Sequence, residues 1–178
     1  RTLLLSGKVA NLRGADGVQD LQLTLSADPE TVGPMPALKE LLFTGFCTTL
    51  DGWPEMAALE TLVIRFSCGY GEKRDIPHGF SLAGLRAPAL TKLDLAGCAL
   101  DDLRDLGPQV TQIVCRKDVH LRSLRGLESA TAMTRLDLAS GGGVHGLQDV
   151  EVVRALPNLV ELILPTGGAA DQSRLESL

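Results

Sequence analysis

The six residues Leu90-Thr-Lys-Leu93-Asp-Leu95 decide how this chain reads. In an extended strand successive side chains alternate between faces, so Leu93 and Leu95 fall on one side and Lys92, Asp94 and Ala96 on the other. The same L-x-x-L-x-L frame recurs in both directions. Upstream it appears as Val18-Gln-Asp-Leu21-Gln-Leu23, Leu38-Lys-Glu-Leu41-Leu-Phe43 and Leu59-Glu-Thr-Leu62-Val-Ile64. Downstream it appears as Val110-Thr-Gln-Ile113-Val-Cys115, Met133-Thr-Arg-Leu136-Asp-Leu138 and Leu159-Val-Glu-Leu162-Ile-Leu164. The seven frames start at 18, 38, 59, 90, 110, 133 and 159, giving spacings of 20, 21, 31, 20, 23 and 26. Leu3-Leu4-Leu5 reads as the end of an eighth copy. No single winding can bury its own leucine pair, so the pattern predicts coils stacked around one shared aliphatic core. Eight strands about 4.8 Å apart make a curved sheet roughly 35–40 Å long.

Composition agrees. Of 178 residues 44% are hydrophobic, yet only six are aromatic (Phe 4, Tyr 1, Trp 1). A narrow coil interior takes Leu and Val better than rings. There is ample apolar surface to offset chain entropy, which excludes disorder. Nineteen Gly and nine Pro, scattered rather than periodic, exclude collagen and indicate many short turns. A net charge of -5 argues against a nucleic-acid partner, which needs a basic face to displace counterions from phosphates. No apolar run approaches the ~18 residues of a membrane span. Cys47, Cys68, Cys98 and Cys115 lack both the density of a disulfide scaffold and the C-x-x-C spacing of a zinc site. They read as reduced thiols in a cytoplasmic-type protein.

A second element lies between the frames: Leu12-Arg-Gly14, Leu50-Asp-Gly52, Leu82-Ala-Gly84 and Leu124-Arg-Gly126, with Val144-His-Gly146 as a looser copy. This order of short strand, turn and Leu-x-Gly return resembles the leucine-rich repeat family, closest to its short internalin-like and phosphatase-regulator-like repeats. The resemblance covers nearly the whole chain. It implies an α/β solenoid, a horseshoe with a parallel sheet on the concave face and short helices or turns on the convex face. Residues 1–178 are then one domain of about eight coils. Many members place Asn three residues past the last strand leucine; here those positions hold Lys8, Ser26, Phe46, Ser67, Cys98, Asp118, Gly141 and Gly167. Irregular turns are therefore expected. Leu175 and Leu178 suggest that a further coil or cap follows, so the chain is expected to be part of a longer one with flanking domains.

On the convex side, Pro54-Glu-Met-Ala-Ala58 suits a short helical turn with Pro at its first position. Residues 146–156 are long enough for two or three turns of α-helix, with Leu147, Val150, Val153 and Leu156 as the buried stripe. The longest spacing contains an insertion, Phe66 to Phe80, with Gly69, Gly71, Pro77 and Gly79 and no strand alternation.

Candidate chemistry is sparse. Gly141-Gly-Gly-Val-His-Gly146 matches G-x-G-x-x-G between a strand and a helix, the context of a dinucleotide-binding turn. A repeat needs a turn there in every coil, and coil spacings of 20 to 23 are too short for βαβ units of about 30 residues. A structural turn is the better reading. His78, His120 and His145 with the cysteines admit a metal or Cys-His site. Cys115 falls at an inward position, however, where thiols are usually inert packing. No cofactor is expected and no catalytic motif is present, so the chain reads as a non-enzyme.

The stronger functional signal is the outward column Leu4, Gln22, Leu42, Val63, Asp94, Val114, Asp137 and Ile163. On one side of it run Thr2, Asp20, Glu40, Thr61, Lys92, Gln112, Arg135 and Glu161. On the other run Ser6, Thr24, Thr44, Arg65, Ala96, Arg116, Ala139 and Pro165. Leu42, Val63, Val114 and Ile163, rimmed by Arg65, Lys92, Asp94, Arg116, Arg135 and Asp137, suit a protein interface with an apolar centre and a charged edge. Strand propensity explains Val63 and Val114 equally well, and Leu42 less so. In the insertion, Tyr70 and Arg74, with Lys73 and His78, are the first candidates for contact. The expectation is a non-catalytic module that binds a protein partner through the concave face. Charge reversal at Arg65, Arg116 and Arg135 is expected to abolish capture. The alternatives are a scaffold subunit of a larger assembly, or a nucleotide-binding enzyme using the Gly141–Gly146 turn.

Overall fold

A computed structural model describes residues 2–6, 15–24, 33–44, 50–65, 80–116, 119–139 and 147–164. The recurring frames become strands β1 (Thr2–Ser6), β2 (Asp20–Thr24), β3 (Glu40–Thr44), β4 (Thr61–Arg65) and β5 (Lys92–Ala96). They continue as β7 (Gln112–Cys115), β9 (Arg135–Asp137) and β10 (Glu161–Ile163). These eight form one sheet in the order β1-β2-β3-β4-β5-β7-β9-β10, and every neighbouring pair is parallel. The chain is a repeat solenoid built on a parallel sheet. After the turns that follow β5 and β7, β6 (Ala99–Leu100) and β8 (His120–Leu121) make a second, two-stranded parallel ladder. Phe80 extends it by bridging to Leu100. Phe80, expected to close the insertion, is thus a buried part of a regular coil.

The inward residues Leu41, Leu62, Leu93, Ile113 and Leu136 pair across the sheet and are all buried. Leu3 and Leu162, on the two edge strands, are only partly buried, each having a neighbouring strand on one side alone among the described residues. Phe43 and Trp53, two of the few aromatics, meet edge-to-face at 5.8 Å inside the core.

Strands β2, β3, β4, β5, β7, β9 and β10 are each entered through a tight turn whose last amide bonds back three residues. Examples are Leu38 to Met35, Leu90 to Ala87, Val110 to Gly107 and Leu159 to Leu156. In those four turns the second residue is Pro36, Pro88, Pro108 and Pro157, the position where a fixed φ near -65° suits a tight turn. Four of the prolines are therefore periodic, contrary to their scattered look in the sequence. Immediately after the turn, the carbonyls of Glu60, Thr91 and Thr111 each accept two backbone amides of the next coil. Each also accepts a hydroxyl at 3.1 Å, from Thr91, Thr111 and Thr134 respectively. This threonine ladder links successive coils at one point.

The Leu-x-Gly returns form a second corner, with left-handed φ at Gly52, Gly84 and Gly126. Two further copies carry Asp in place of Gly. Leu103-Arg-Asp105 and Leu147-Gln-Asp149 have left-handed φ of 73° and 57° at their aspartates and a buried leucine two residues before. In the last coil the corner is therefore Leu147–Asp149, and the expected copy at 144–146 lies outside the described residues.

The helical expectations need correction. Among the described residues there is no α-helix, only 3-10 segments at Leu127–Ser129 and Val150–Ala155. The stripe Leu147, Val150, Val153, Leu156 steps by three, which is the period of a 3-10 helix rather than of an α-helix. Pro54–Ala58 is not helical either, because the Met56 amide is taken by the Arg86 carbonyl of the next coil. Of the expected α/β horseshoe, the structure shows a solenoid built mostly on a parallel sheet, with almost no helix among the described residues.

Candidate functional site

The outward column exists as read. Leu4, Gln22, Leu42, Val63, Asp94, Val114, Asp137 and Ile163 are consecutive register partners across the whole sheet. Leu42, Val63, Val114 and Ile163 are half-buried, while Leu4 at the edge is 67% exposed. Leu42 and Val63 are register partners and cover one another, whereas Val114 and Ile163 are flanked by the aspartates Asp94 and Asp137.

The charged rim differs from the expectation. Asp94 was read as an exposed rim residue, but it is only 4% exposed. It lies in register between Val63 and Val114, and the Arg116 guanidinium closes over it. Arg116 Nε donates to both Asp94 oxygens at 2.8 and 3.0 Å, and Nη2 donates to Oδ2 at 2.8 Å. A buried carboxylate is tolerated only when its lone pairs are met in this way. The same bonds raise the Arg116 pKa. Arg135 is also committed internally. Its Nη2 donates to Asp137 at 2.9 Å and its Nη1 to Glu161 at 2.7 Å, and hydrogen bonding to Asp137 raises its pKa. One residue before β3 and β4, Lys39 pairs with Glu60 at 2.8 Å.

Arg116 and Arg135 therefore hold the sheet face together. Reversing their charge would set carboxylates against Asp94 or Asp137, so such variants probe folding before docking. Arg65 is exposed and Lys92 half-buried, and neither makes an ion pair among the described residues. Reading the frames one at a time missed the Asp94–Arg116 pair, because Arg116 sits one residue past its strand and reaches back across 22 positions of sequence. The signal was there in the columns, where Asp94 is flanked by valines on both neighbouring strands.

Other candidates recede or fall outside the described residues. Tyr70, Arg74, Lys73, His78, His145, Cys47, Cys68 and the 141–146 turn are not described. Cys98 and Cys115 are free and buried. Burial pushes the Cys98 thiol up to about 12 and the Cys115 thiol higher still, so neither forms the thiolate that nucleophilic or metal chemistry needs. Among the described residues no His, Cys, Asp and Glu cluster is arranged to hold a metal ion, and no helix is long and apolar enough to cross a membrane. No protein-family model matches this sequence, and no curated protein matches it either.

Proposed function

We propose that this chain is a leucine-rich-repeat-type solenoid whose outer sheet face, the concave side in that family, docks a protein partner without catalysis. On this reading the partner is met in the cytoplasm, and the domain serves as the recognition part of a longer protein. The observation that carries the proposal is the outward column itself. Four half-buried aliphatic side chains, Leu42, Val63, Val114 and Ile163, stand with the exposed Leu4 on a face most of whose other side chains are polar or charged. Aliphatic groups left partly open in such a setting gain free energy when a partner removes them from water, at roughly 25 cal/mol per Å2. The parallel backbone supports them rigidly, so little conformational entropy is lost on docking.

The test is affinity capture with the intact parent chain, followed by the same capture with Leu42→Asp and Arg65→Glu. Both positions are on the outer face, and neither side chain takes part in the ion pairs described above. Loss of the captured protein with unchanged thermal unfolding supports the reading. Variants that fold and retain the protein would contradict it.

A further inference from the structure

Ion pairing divides the outer face into two halves. From β5 onward the charges neutralise one another: Asp94 with Arg116, Asp137 with Arg135, and Arg135 again with Glu161. Around β3 to β5 the outward charges Glu40, Arg65 and Lys92 are not neutralised in this way, although Lys39 and Glu60, one residue before β3 and β4, pair with each other. Arg65 at the end of β4 and Lys92 at the start of β5 make no ion pair among the described residues, and Lys92 lies in register with Thr61, four residues before Arg65. Between the two cations lie Val63 and Asp94, the latter already neutralised by Arg116, and Leu42 flanks Val63 from β3. Four strand residues span about 13 Å, so two positive groups bracket a small aliphatic centre.

Resting on the docking reading above, we infer that the contact patch is Leu42, Val63, Arg65 and Lys92, and that its occupant is an acidic protein segment carrying aliphatic residues between its carboxylates. The argument is charge complementarity. A cation already satisfied by an internal carboxylate gains little from a partner, whereas a free one gains a new charge-assisted bond. An extended segment with acids at i and i+4 and an aliphatic residue at i+2 matches the 13 Å spacing, since strands advance about 3.3 Å per residue. The Asp94–Arg116 network alongside acts as a stiff border and not as a contact surface.

The probe is a displayed library of random twelve-residue peptides selected on the immobilised intact chain, with the selected peptides then synthesised and titrated. Enrichment of acidic, aliphatic sequences is expected. Their affinity should fall at least tenfold with Arg65→Glu or with Lys92→Glu, and stay within about twofold with Val114→Thr and Ile163→Thr. It should also weaken with added salt, because exposed charges are screened beyond about 10 Å at 0.1 M. Neutral or basic selected sequences, or no enrichment, would overturn the assignment of the occupant. Acidic peptides sensitive to Val114→Thr and Ile163→Thr but not to the charge reversals would overturn the patch while leaving the docking face standing. Peptides indifferent to all four variants would count against both.

Discussion

Gly126 and Asp105 occupy the same corner of successive coils and share left-handed φ, 102° and 73°, yet one has no side chain and the other carries a carboxylate. The difference lies in what presses on each. A Cβ on Gly126 would stand 2.4 Å from the Leu103 carbonyl carbon and 2.4 Å from the Arg104 nitrogen, which are backbone atoms of the coil before. A Cβ on Gly84 would stand 2.6 Å from the Asp51 Cα. At these corners glycine is required twice, for its backbone angle and for the approach of one coil to the next. At Asp105 and Asp149 only the angle is demanded, and Asp is among the few other residues that meet it at modest cost. Asp149 also has a use for its carboxylate, which accepts from the Ser123 hydroxyl at 2.5 Å in the preceding coil. Stacking distance, rather than turn geometry alone, thus decides which residue sits at each corner.

Substitutions at the corner break this comparison in a set order. Gly126→Val should have the largest effect, about 4 kcal/mol or loss of the folded state, because a β-branched residue combines left-handed strain with collision against backbone. A wild-type urea midpoint for that variant would show that the coils do not approach as described. Gly84→Ala should cost about 2–4 kcal/mol by the same two terms, read as a lowered unfolding midpoint. Asp149→Ala should cost about 1–2 kcal/mol, through the lost Ser123 bond and a poorer left-handed residue. Hydrogen exchange should then quicken locally around residues 122–124 and 147–149. Asp105→Gly should change stability by less than about 1 kcal/mol, since relief of strain is offset by greater freedom of the unfolded chain. A loss above about 2 kcal/mol there would mean that the Asp105 side chain has a role beyond the turn.

The order and register of the main sheet were readable from the sequence, though β7, β9 and β10 end before Arg116, Ala139 and Pro165. L-x-x-L-x-L fixes both the alternation and the phase of each strand, and the register partners Leu41, Leu62 and Leu93 follow from aligning the frames. The segments between the strands were less readable, for physical reasons. Leu103–Asp105 and Leu147–Asp149 escaped notice because the corner selects a backbone angle, not glycine as such. Residues 146–156 read as α-helix because apolar residues three apart are compatible with both helical periods; only their uninterrupted three-step spacing favours the 3-10 segment found at Val150–Ala155. On the outer face the apolar column was legible, but the commitment of Arg116 and Arg135 was not. An ion pair depends on which rotamers reach across strands, and a one-dimensional pattern does not encode that. The cost of the error is practical. Two of the three arginines first marked for charge reversal serve the fold, leaving Arg65 and Lys92 as the informative positions.

All of this rests on consecutive coils lying side by side in one open parallel sheet. The most direct test is a distance between spin labels placed at Gln22 and Ile163, with Cys47 and Cys68 replaced by Ser and the buried Cys98 and Cys115 left in place. Those two sites lie on β2 and β10, six strand intervals apart, which at about 4.8 Å per interval gives roughly 25–30 Å between backbones. A single distance distribution in that range is the predicted result. A distribution centred below about 15 Å, as a closed barrel would bring the two strands together, would contradict it.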